Sequence, residues 1–102
     1  MKFSDLKFND FLDGVSTRVT FGDYDLSVVQ HSGSYGGYKG LYEIGVFKGD
    51  GMIELAGITA EGDTVKGWLT EKDVTEILNK MDKLQAWLHL ARPVRRKEGC
   101  LS

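Results

Sequence analysis

The stretch Thr70-Glu71-Lys72-Asp73 gives the strongest folding signal in this chain of 102 residues. Threonine is a good residue with which to cap a helix N-terminus, and an aspartate three positions later is a shorter form of the glutamate that completes a capping box. The acidic residues of this first turn also lie at the positive end of the helix dipole. We therefore predict that a helix begins here.

An apolar stripe with helical spacing follows this cap. It consists of Val74, Ile77, Leu78, Met81, Leu84 and Leu88. A stripe of this kind covers a hydrophobic core. Pro93 disfavours helical backbone at the residue before it, so we expect the helix to end near Leu90 or Ala91. Trp87 lies off the stripe, and we favour a place in the core over an exposed contact.

Short alternating segments, joined by turns rich in glycine and aspartate, precede the helix. Residues 17–28 read as one hairpin around Gly22-Asp23, and residues 42–55 as a second around Gly49-Asp50-Gly51. A third turn at residues 61–63 leads to a candidate fifth strand at residues 64–69. This order predicts an antiparallel meander and not parallel βαβ units.

The N-terminal segment carries helix signals of its own. Ser4 is a candidate cap, Gly14 a candidate stop, and the apolar residues between and beyond them follow helical spacing. We predict a short helix over residues 5–13, with Phe3 and Phe8 forming a hydrophobic staple. The whole chain is then an α+β domain: a four- to five-stranded antiparallel meander sheet packed by a long C-terminal helix and a short N-terminal helix.

Composition places one domain over residues 1–91 and a basic tail over residues 92–102. The chain is 41% hydrophobic and 27% charged, which is ordinary for a globular protein. Residues 1–91 hold nine Lys/Arg against fourteen Asp/Glu, a net −5, whereas residues 92–102 hold four against one, a net +3. The single cysteine, Cys100, cannot form an intrachain disulfide, and the N-terminus lacks an apolar leader. We expect a cytoplasmic location and no membrane segment.

A glycine–tyrosine loop at residues 33–40 is the best candidate for a binding site. Glycine permits unusual backbone angles and close approach of a partner, and tyrosine offers a wide apolar face with a polar tip. The candidate partner-binding residues are Tyr35, Tyr38, Lys39 and Tyr42. Interface cores are rich in aromatic residues and poor in charge, so a protein partner fits this loop best.

Catalysis, metal binding and cofactor binding find little support in the residues present. Two histidines and one cysteine are too few for a four-ligand zinc site, and no nucleophile stands beside an evident base. The loop also departs from the phosphate-binding pattern: Tyr38 replaces its second glycine, Gly40 replaces its hydroxyl residue, and a strand follows instead of a helix. We expect no enzyme activity, no metal and no cofactor.

Two other binding functions stay open. The same tyrosines, with Lys39 and the basic tail, could bind single-stranded nucleic acid, although one lysine beside the rings of an acidic body gives weak electrostatic capture. The third alternative is a homo-oligomer that binds a small molecule.

Two segments carry a resemblance to a known class of proteins. They are Ser34-Tyr35-Gly36-Gly37, continuing through Lys39-Gly40-Leu41-Tyr42-Glu43-Ile44, and Gly67-Trp68-Leu69-Thr70-Glu71-Lys72-Asp73-Val74. Over residues 19–84 the chain resembles small accessory proteins of tailed bacteriophages. The resemblance implies a protein made in the infected bacterium that binds and modulates or inhibits a host enzyme or defence complex. It implies no catalytic residues.

Overall fold

A six-stranded antiparallel sheet with one helix across one face forms the fold, so the predicted α+β class is confirmed. The computed structural model describes the backbone of residues 1–101 and the side chains of residues 1–87. The elements are β1 (Asn9–Phe11), β2 (Gly14–Phe21), β3 (Tyr24–Gln30), β4 (Tyr42–Lys48), β5 (Gly51–Met52), β6 (Val65–Leu69) and α1 (Glu71–Leu101).

Strands β1 to β4 form a meander in chain order, and β5 and β6 then share the free edge of β4. Strand β5 pairs with Phe47 and Lys48, whereas β6 pairs with the other end of β4 between Tyr42 and Gly45. The predicted hairpin turns are present at residues 22–23 and 49–50. Gly22 and Gly49 have φ near +62° and +63°, which only glycine adopts freely.

The core lies between the sheet and α1. Alternate residues of the central strands point to this face, and Leu26, Val28, Ile44 and Val46 are fully buried there. The helix contributes four residues of the predicted stripe, Val74, Ile77, Leu78 and Met81. The stripe therefore identifies the buried face of the helix correctly as far as Met81.

Past Met81 the helix is less buried than predicted, and the side chain of Leu88, the last residue of the predicted stripe, lies outside the described residues. Leu84 is only half-buried, and the side chain of Trp87 is 64% exposed, so the expectation that Trp87 joins the core is wrong. The reason is the size of the sheet. The Cγ of Gln85 already lies 3.5 Å from the place of a Cβ on Gly22, at the β2–β3 turn. Within the described side chains, Trp87 lies beyond this turn, which explains its exposure.

The helix begins at Glu71, as predicted, but its backbone continues past Leu90 and Pro93 to Leu101. A proline inside a helix removes one backbone hydrogen bond and tilts the axis, which weakens the helix at that point without always ending it. The side chains of the predicted basic tail, residues 92–102, lie outside the described residues, so the tail stays a prediction.

The predicted helix over residues 5–13 is wrong. A single 3-10 turn, Phe3–Asp5, and strand β1 take its place. A nine-residue helix is marginal by itself, and this segment gains more by pairing with β2. Gly14 is not a helix stop. The carbonyl oxygen of Gln30 occupies the place where a Cβ of Gly14 would lie, so only glycine allows the two backbones to approach this closely.

The N-terminal segment still packs against α1. The backbone N–H of Phe3 donates to the hydroxyl of Thr75 at 2.8 Å, and the terminal ammonium pairs with Asp82 at 3.1 Å. The rings of Phe3 and Phe8 are in contact, with centroids 5.6 Å apart, although no helix brings them together. Both rings also contact Tyr42, so this segment closes one side of the core.

Candidate functional site

The glycine–tyrosine loop is held in shape by hydrogen bonds at its start. The buried hydroxyl of Ser34 accepts a hydrogen bond from the N–H of His31 at 3.0 Å and donates one to the His31 carbonyl at 2.9 Å. The ring Nδ1 of His31 accepts a further hydrogen bond from Gly33 N–H at 3.0 Å. The loop therefore has a defined conformation of its own.

Glycines then turn the loop so that its tyrosines face outward. Gly36 and Gly40 have φ of 85° and 76°, and they flank a 3-10 turn, Gly37–Lys39. At Gly37 the carbonyl oxygen of His31 takes the place of a side chain. Tyr35 and Tyr38 are left 58% and 69% exposed.

A β-bulge in β6 brings a third aromatic residue to this loop. Tyr42 pairs with Leu69 and Ile44 with Lys66, so Gly67 and Trp68 together lie opposite the single residue between Tyr42 and Ile44. Trp68 has φ of +59°, a left-handed conformation that bulky residues rarely adopt. The bulge turns its ring outward, where it is 51% exposed.

Backbone contacts join the bulge to the loop. The N–H of Trp68 donates to the carbonyl of Tyr35 at 3.1 Å. The Cβ of Tyr35 occupies the place where a Cβ of Gly67 would lie. A side chain on Gly36 would meet the Cα of Trp68 at 3.0 Å. The loop and strand β6 thus form one packed unit.

We call the exposed side chains of this unit the aromatic surface; it consists of Tyr35, Tyr38, Lys39 and Trp68. The rings of Tyr38 and Trp68 meet edge to face, with centroids 5.9 Å apart and planes at 83°. The ammonium of Lys39 lies 5.9 Å from the centre of the Tyr38 ring, at the outer limit of a cation–π contact. Beside this surface, the carboxylate of Glu43 accepts a hydrogen bond from the backbone N–H of Tyr35 at 3.2 Å.

Of the four residues that the sequence proposed for partner binding, the structure places Tyr35, Tyr38 and Lys39 on the aromatic surface and Tyr42 apart from it. Tyr42 is half-buried against Phe3 and Phe8. Burial, with a smaller contribution from the charge of Glu71, raises the pKa of its hydroxyl above the usual 10.0. Tyr42 belongs to the margin of the core because even-numbered residues of β4 face the helix.

Trp68 was missed as a site residue. A signal was present in the sequence: if Leu69 points to the core, its neighbour in the strand points away from it. The bulge in β6 and the contact of Trp68 with Tyr38 depend on tertiary packing, so the sequence pattern does not predict them.

The β1–β2 turn supports the loop from the other side. The carboxylate of Asp13 accepts a hydrogen bond from Ser32 N–H at 3.0 Å. Hydrogen bonds from the Ser32 side chain and backbone, in that order, hold the pKa of Asp13 below its usual 3.8. Asp13 therefore supports the start of the loop and lies outside the aromatic surface.

The sheet face away from α1 holds a shallow groove of about 150 Å³, lined chiefly by Val29, Phe47, Met52 and Val65 around Gly45. The guanidinium of Arg18 lies 4.0 Å from the centre of the Phe47 ring.

Within residues 1–87, no three His, Cys, Asp or Glu residues are grouped so as to hold a metal ion. Over the described part of the chain, no helix is long and apolar enough to cross a membrane.

Comparison of the chain with protein-family models, with curated proteins and with solved structures found no match.

Proposed function

We propose that this protein is not an enzyme and that it acts by binding another protein through the aromatic surface. One observation carries the proposal: the half-exposed Trp68 adopts a left-handed backbone, and its ring meets the ring of the exposed Tyr38 edge to face. That conformation costs a non-glycine residue about 1–2 kcal/mol. Strain of this kind concentrates at binding and active sites, where the displayed side chain has a use.

The chemistry of the surface supports a protein partner. Tyrosine and tryptophan are enriched among the residues that dominate binding energy at interfaces, and lysine is depleted there. Aromatic side chains also lose little rotamer freedom on binding. The surface has three such rings and one lysine.

We propose that the partner is a protein of a bacterial host, such as a defence complex or a nucleic-acid-processing complex, and that binding modulates or inhibits it in the host cytoplasm. The support is the resemblance to phage accessory proteins. The two segments that carry this resemblance include Tyr35 and Trp68, whose backbones are hydrogen-bonded to each other.

The test compares four forms of the protein as bait in bacterial lysate: wild type, Tyr38→Ala, Trp68→Gly and Trp87→Ala. The last is a matched control, since Trp87 is exposed and lies on α1, away from the aromatic surface. A captured protein is then purified, and its affinity for each form is measured by calorimetry. Loss of a central contact should weaken binding by about 30-fold, equivalent to roughly 2 kcal/mol. Equal affinity for all four forms would remove the aromatic surface from the interface.

Single-stranded nucleic acid is the second candidate, favoured by exposed rings beside Lys39. Bases stack on such rings, and binding that uses lysine weakens steeply as salt rises. A fluorescent oligodeoxythymidine should then bind at low salt and quench the emission of Trp68. No anisotropy change at low salt would exclude this function.

A further inference from the structure

We propose that His31 is a pH-dependent switch that controls how the glycine–tyrosine loop presents the aromatic surface. With a neutral imidazole the loop holds its observed conformation, and protonation of the ring loosens it. The inference rests on the proposed protein-binding function and deepens it, because it gives that same surface a means of regulation.

The ring of His31 makes a hydrogen bond that only its neutral form can make. Its Nδ1 accepts from the backbone N–H of Gly33 at 3.0 Å. A neutral imidazole has one nitrogen that accepts, whereas both nitrogens of the protonated ring are donors. Protonation therefore sets two donors, the ring N–H and the Gly33 N–H, against each other. Histidine is the side chain that ordinarily changes charge between about pH 5 and 8.

The surroundings of the ring limit how far it can turn away. His31 is half-buried, and the ring of Phe11, from β1, meets it edge to face with centroids 5.4 Å apart. The imidazole also lies close against Gly33, since its Cε1 is 3.1 Å from the place of a Cβ there. Because the ring has little room, we expect the backbone at Gly33, which has no side chain to anchor it, to move.

The charged group that faces this histidine is Asp13, in the β1–β2 turn. The charges of the two residues interact, and the Asp13 carboxylate also accepts the Ser32 N–H at 3.0 Å. An imidazolium is attracted to this carboxylate and competes with Ser32 for it. Protonation thus weakens both hydrogen bonds, those of Ser32 and Gly33. The other neighbours of His31 in the described structure are uncharged: Phe11, Gly14, Gly33 and Ser34.

The backbone of His31 carries the change to the aromatic surface. Its carbonyl oxygen accepts hydrogen bonds from the backbone N–H and the hydroxyl of Ser34, and it takes the place of a side chain at Gly37. Gly37 begins the 3-10 turn that carries Tyr38, whose ring contacts Trp68. A shift at the start of the loop therefore moves the ring of Tyr38 relative to that of Trp68.

Asparagine gives a variant that keeps the hydrogen bond and does not titrate. Its side-chain oxygen accepts a hydrogen bond from the backbone N–H two residues on, in an Asx turn. His31 and Gly33 have this same spacing. His31→Asn should therefore retain the loop throughout the titration. The other histidine of the chain, His89, lies on α1, so His89→Asn is the matched control.

The test is a titration of the whole, isotope-labelled chain from about pH 8 to about pH 5, followed by nuclear magnetic resonance. The Cε1–H signal of His31 reports its protonation. We expect the amide signal of Gly33 and the ring signals of Tyr38 and Trp68 to shift with the same midpoint. Below this midpoint the Gly33 amide should exchange with solvent about two- to tenfold faster than in His31→Asn at the same pH, which corresponds to the loss of one hydrogen bond.

Two further variants sharpen the assignment. His89→Asn should behave as wild type. Asp13→Asn keeps an acceptor for Ser32 but removes the charge that favours the imidazolium, so it should move the midpoint to lower pH.

Three results would overturn the inference: a Gly33 amide that does not respond at the His31 midpoint, rings of Tyr38 and Trp68 that stay unchanged while Gly33 responds, or the same transition in His31→Asn as in wild type. The wild-type titration decides by itself if His31→Asn does not fold.

A purified protein partner separates this inference from the proposed function. Its affinity for wild type should fall between about pH 7.5 and about pH 5.5 and should fall less for His31→Asn; an equal loss for both would contradict control by His31. If the rings do not titrate while the partner still loses affinity for Trp68→Gly, only this inference falls. If the rings titrate with His31 and the partner binds every surface variant equally, the proposed function falls instead.

Discussion

The backbone N–H of Trp68 donates a hydrogen bond to the carbonyl oxygen of Tyr35 at 3.1 Å, and this bond joins the bulge of β6 to the glycine–tyrosine loop. Both residues display aromatic rings to solvent on the same unit. The position of either ring therefore depends on a backbone contact between segments that are distant in sequence.

Gly67→Ala should disrupt this junction. Its new Cβ would fall on the Cβ of Tyr35 and lie 2.9 Å from the Tyr35 carbonyl oxygen, so backbone would have to move. Overpacking of this kind costs about 1–3 kcal/mol of unfolding free energy. Gly51→Ala is the matched control, because nothing lies within 4 Å of a Cβ there, and it should change stability by less than about 0.5 kcal/mol. Urea unfolding followed by tryptophan fluorescence measures both, and equal stabilities would show that the junction is not tight.

Thr70→Ala should cost about 1 kcal/mol of unfolding free energy by removing the helix cap. The hydroxyl of Thr70 accepts a hydrogen bond from Asp73 N–H at 3.1 Å, and the Asp73 carboxylate accepts one from Thr70 N–H at 3.0 Å. Thr70→Ser keeps the oxygen and should retain most of the stability. A serine variant as unstable as the alanine variant would mean that the hydroxyl is not what matters.

Acid should weaken the same cap. Hydrogen bonds from the backbone and then the side chain of Thr70 hold the pKa of Asp73 below its usual 3.8. A lowered pKa in the folded state means that the contribution is complete above the unfolded pKa and is lost as pH falls through the lowered folded value. We expect the Asp73 titration, followed by carbon-detected magnetic resonance, to shift upward in Thr70→Ala. Alanine keeps the backbone hydrogen bond to Asp73, so an unchanged titration would contradict the contribution assigned to the Thr70 side chain.

Truncations along α1 should show decreasing effects from Met81 to Trp87. Met81 is fully buried, so Met81→Ala should cost about 2–5 kcal/mol of unfolding free energy. Leu84→Ala should cost less because Leu84 is half-buried, and Trp87→Ala should change stability by less than about 0.5 kcal/mol. Chemical unfolding of the three variants gives the series. An equal loss at Met81 and Leu84 would mean that the sheet extends further under the helix.

Tyr42→Phe should alter the alkaline limit of stability. Burial, and then the charge of Glu71, raise the pKa of Tyr42, so folding favours its neutral form. This contribution is complete below about pH 10, the usual pKa, and is lost as pH rises through the raised value. Wild type should therefore lose stability more steeply above pH 10 than Tyr42→Phe. Tyr38→Phe, at an exposed ring, is the control, and parallel curves for wild type and Tyr42→Phe would contradict the prediction.

The correctly predicted parts of the fold depend on residues close together in the chain. Thr70 and Asp73 are three positions apart and bond to each other, so their types alone specify the helix start. The turns at Gly22 and Gly49 need a left-handed backbone, which selects glycine wherever the strands lie. The helix cap and the turn glycines are both local signals, so they predict the same local structure whatever the rest of the fold.

The incorrect predictions concern segments whose structure depends on contacts with residues distant in the sequence. Residues 5–13 have helical spacing, yet strand β2 offers Asn9 and Phe11 backbone partners that a short isolated helix cannot match. Trp87 has the hydrophobicity of a core residue, but the Gly22 turn of the sheet already lies beside Gln85, and Trp87 stays 64% exposed. The extent of a sheet cannot be predicted from the residues of one short segment.

The candidate site divides in the same way. The glycines and tyrosines of the loop mark it as a place where rings are displayed, because no core explains that composition. Whether each ring is exposed depends on which face of the sheet its residue points to and on what packs there. Tyr42 points from β4 towards α1 and is half-buried, whereas Tyr38 is exposed to solvent.

By itself, then, the sequence determined the antiparallel α+β class, the start of α1, its buried face as far as Met81 and the loop that bears Tyr35 and Tyr38. These follow from hydrogen-bonding and side-chain periods that span only a few residues. Tertiary structure alone decided that Trp68 joins those tyrosines, that Tyr42 leaves them and that the first residues extend the sheet. Each of these depends on which distant backbone groups and surfaces meet, and that is settled only when the sheet and the helix pack.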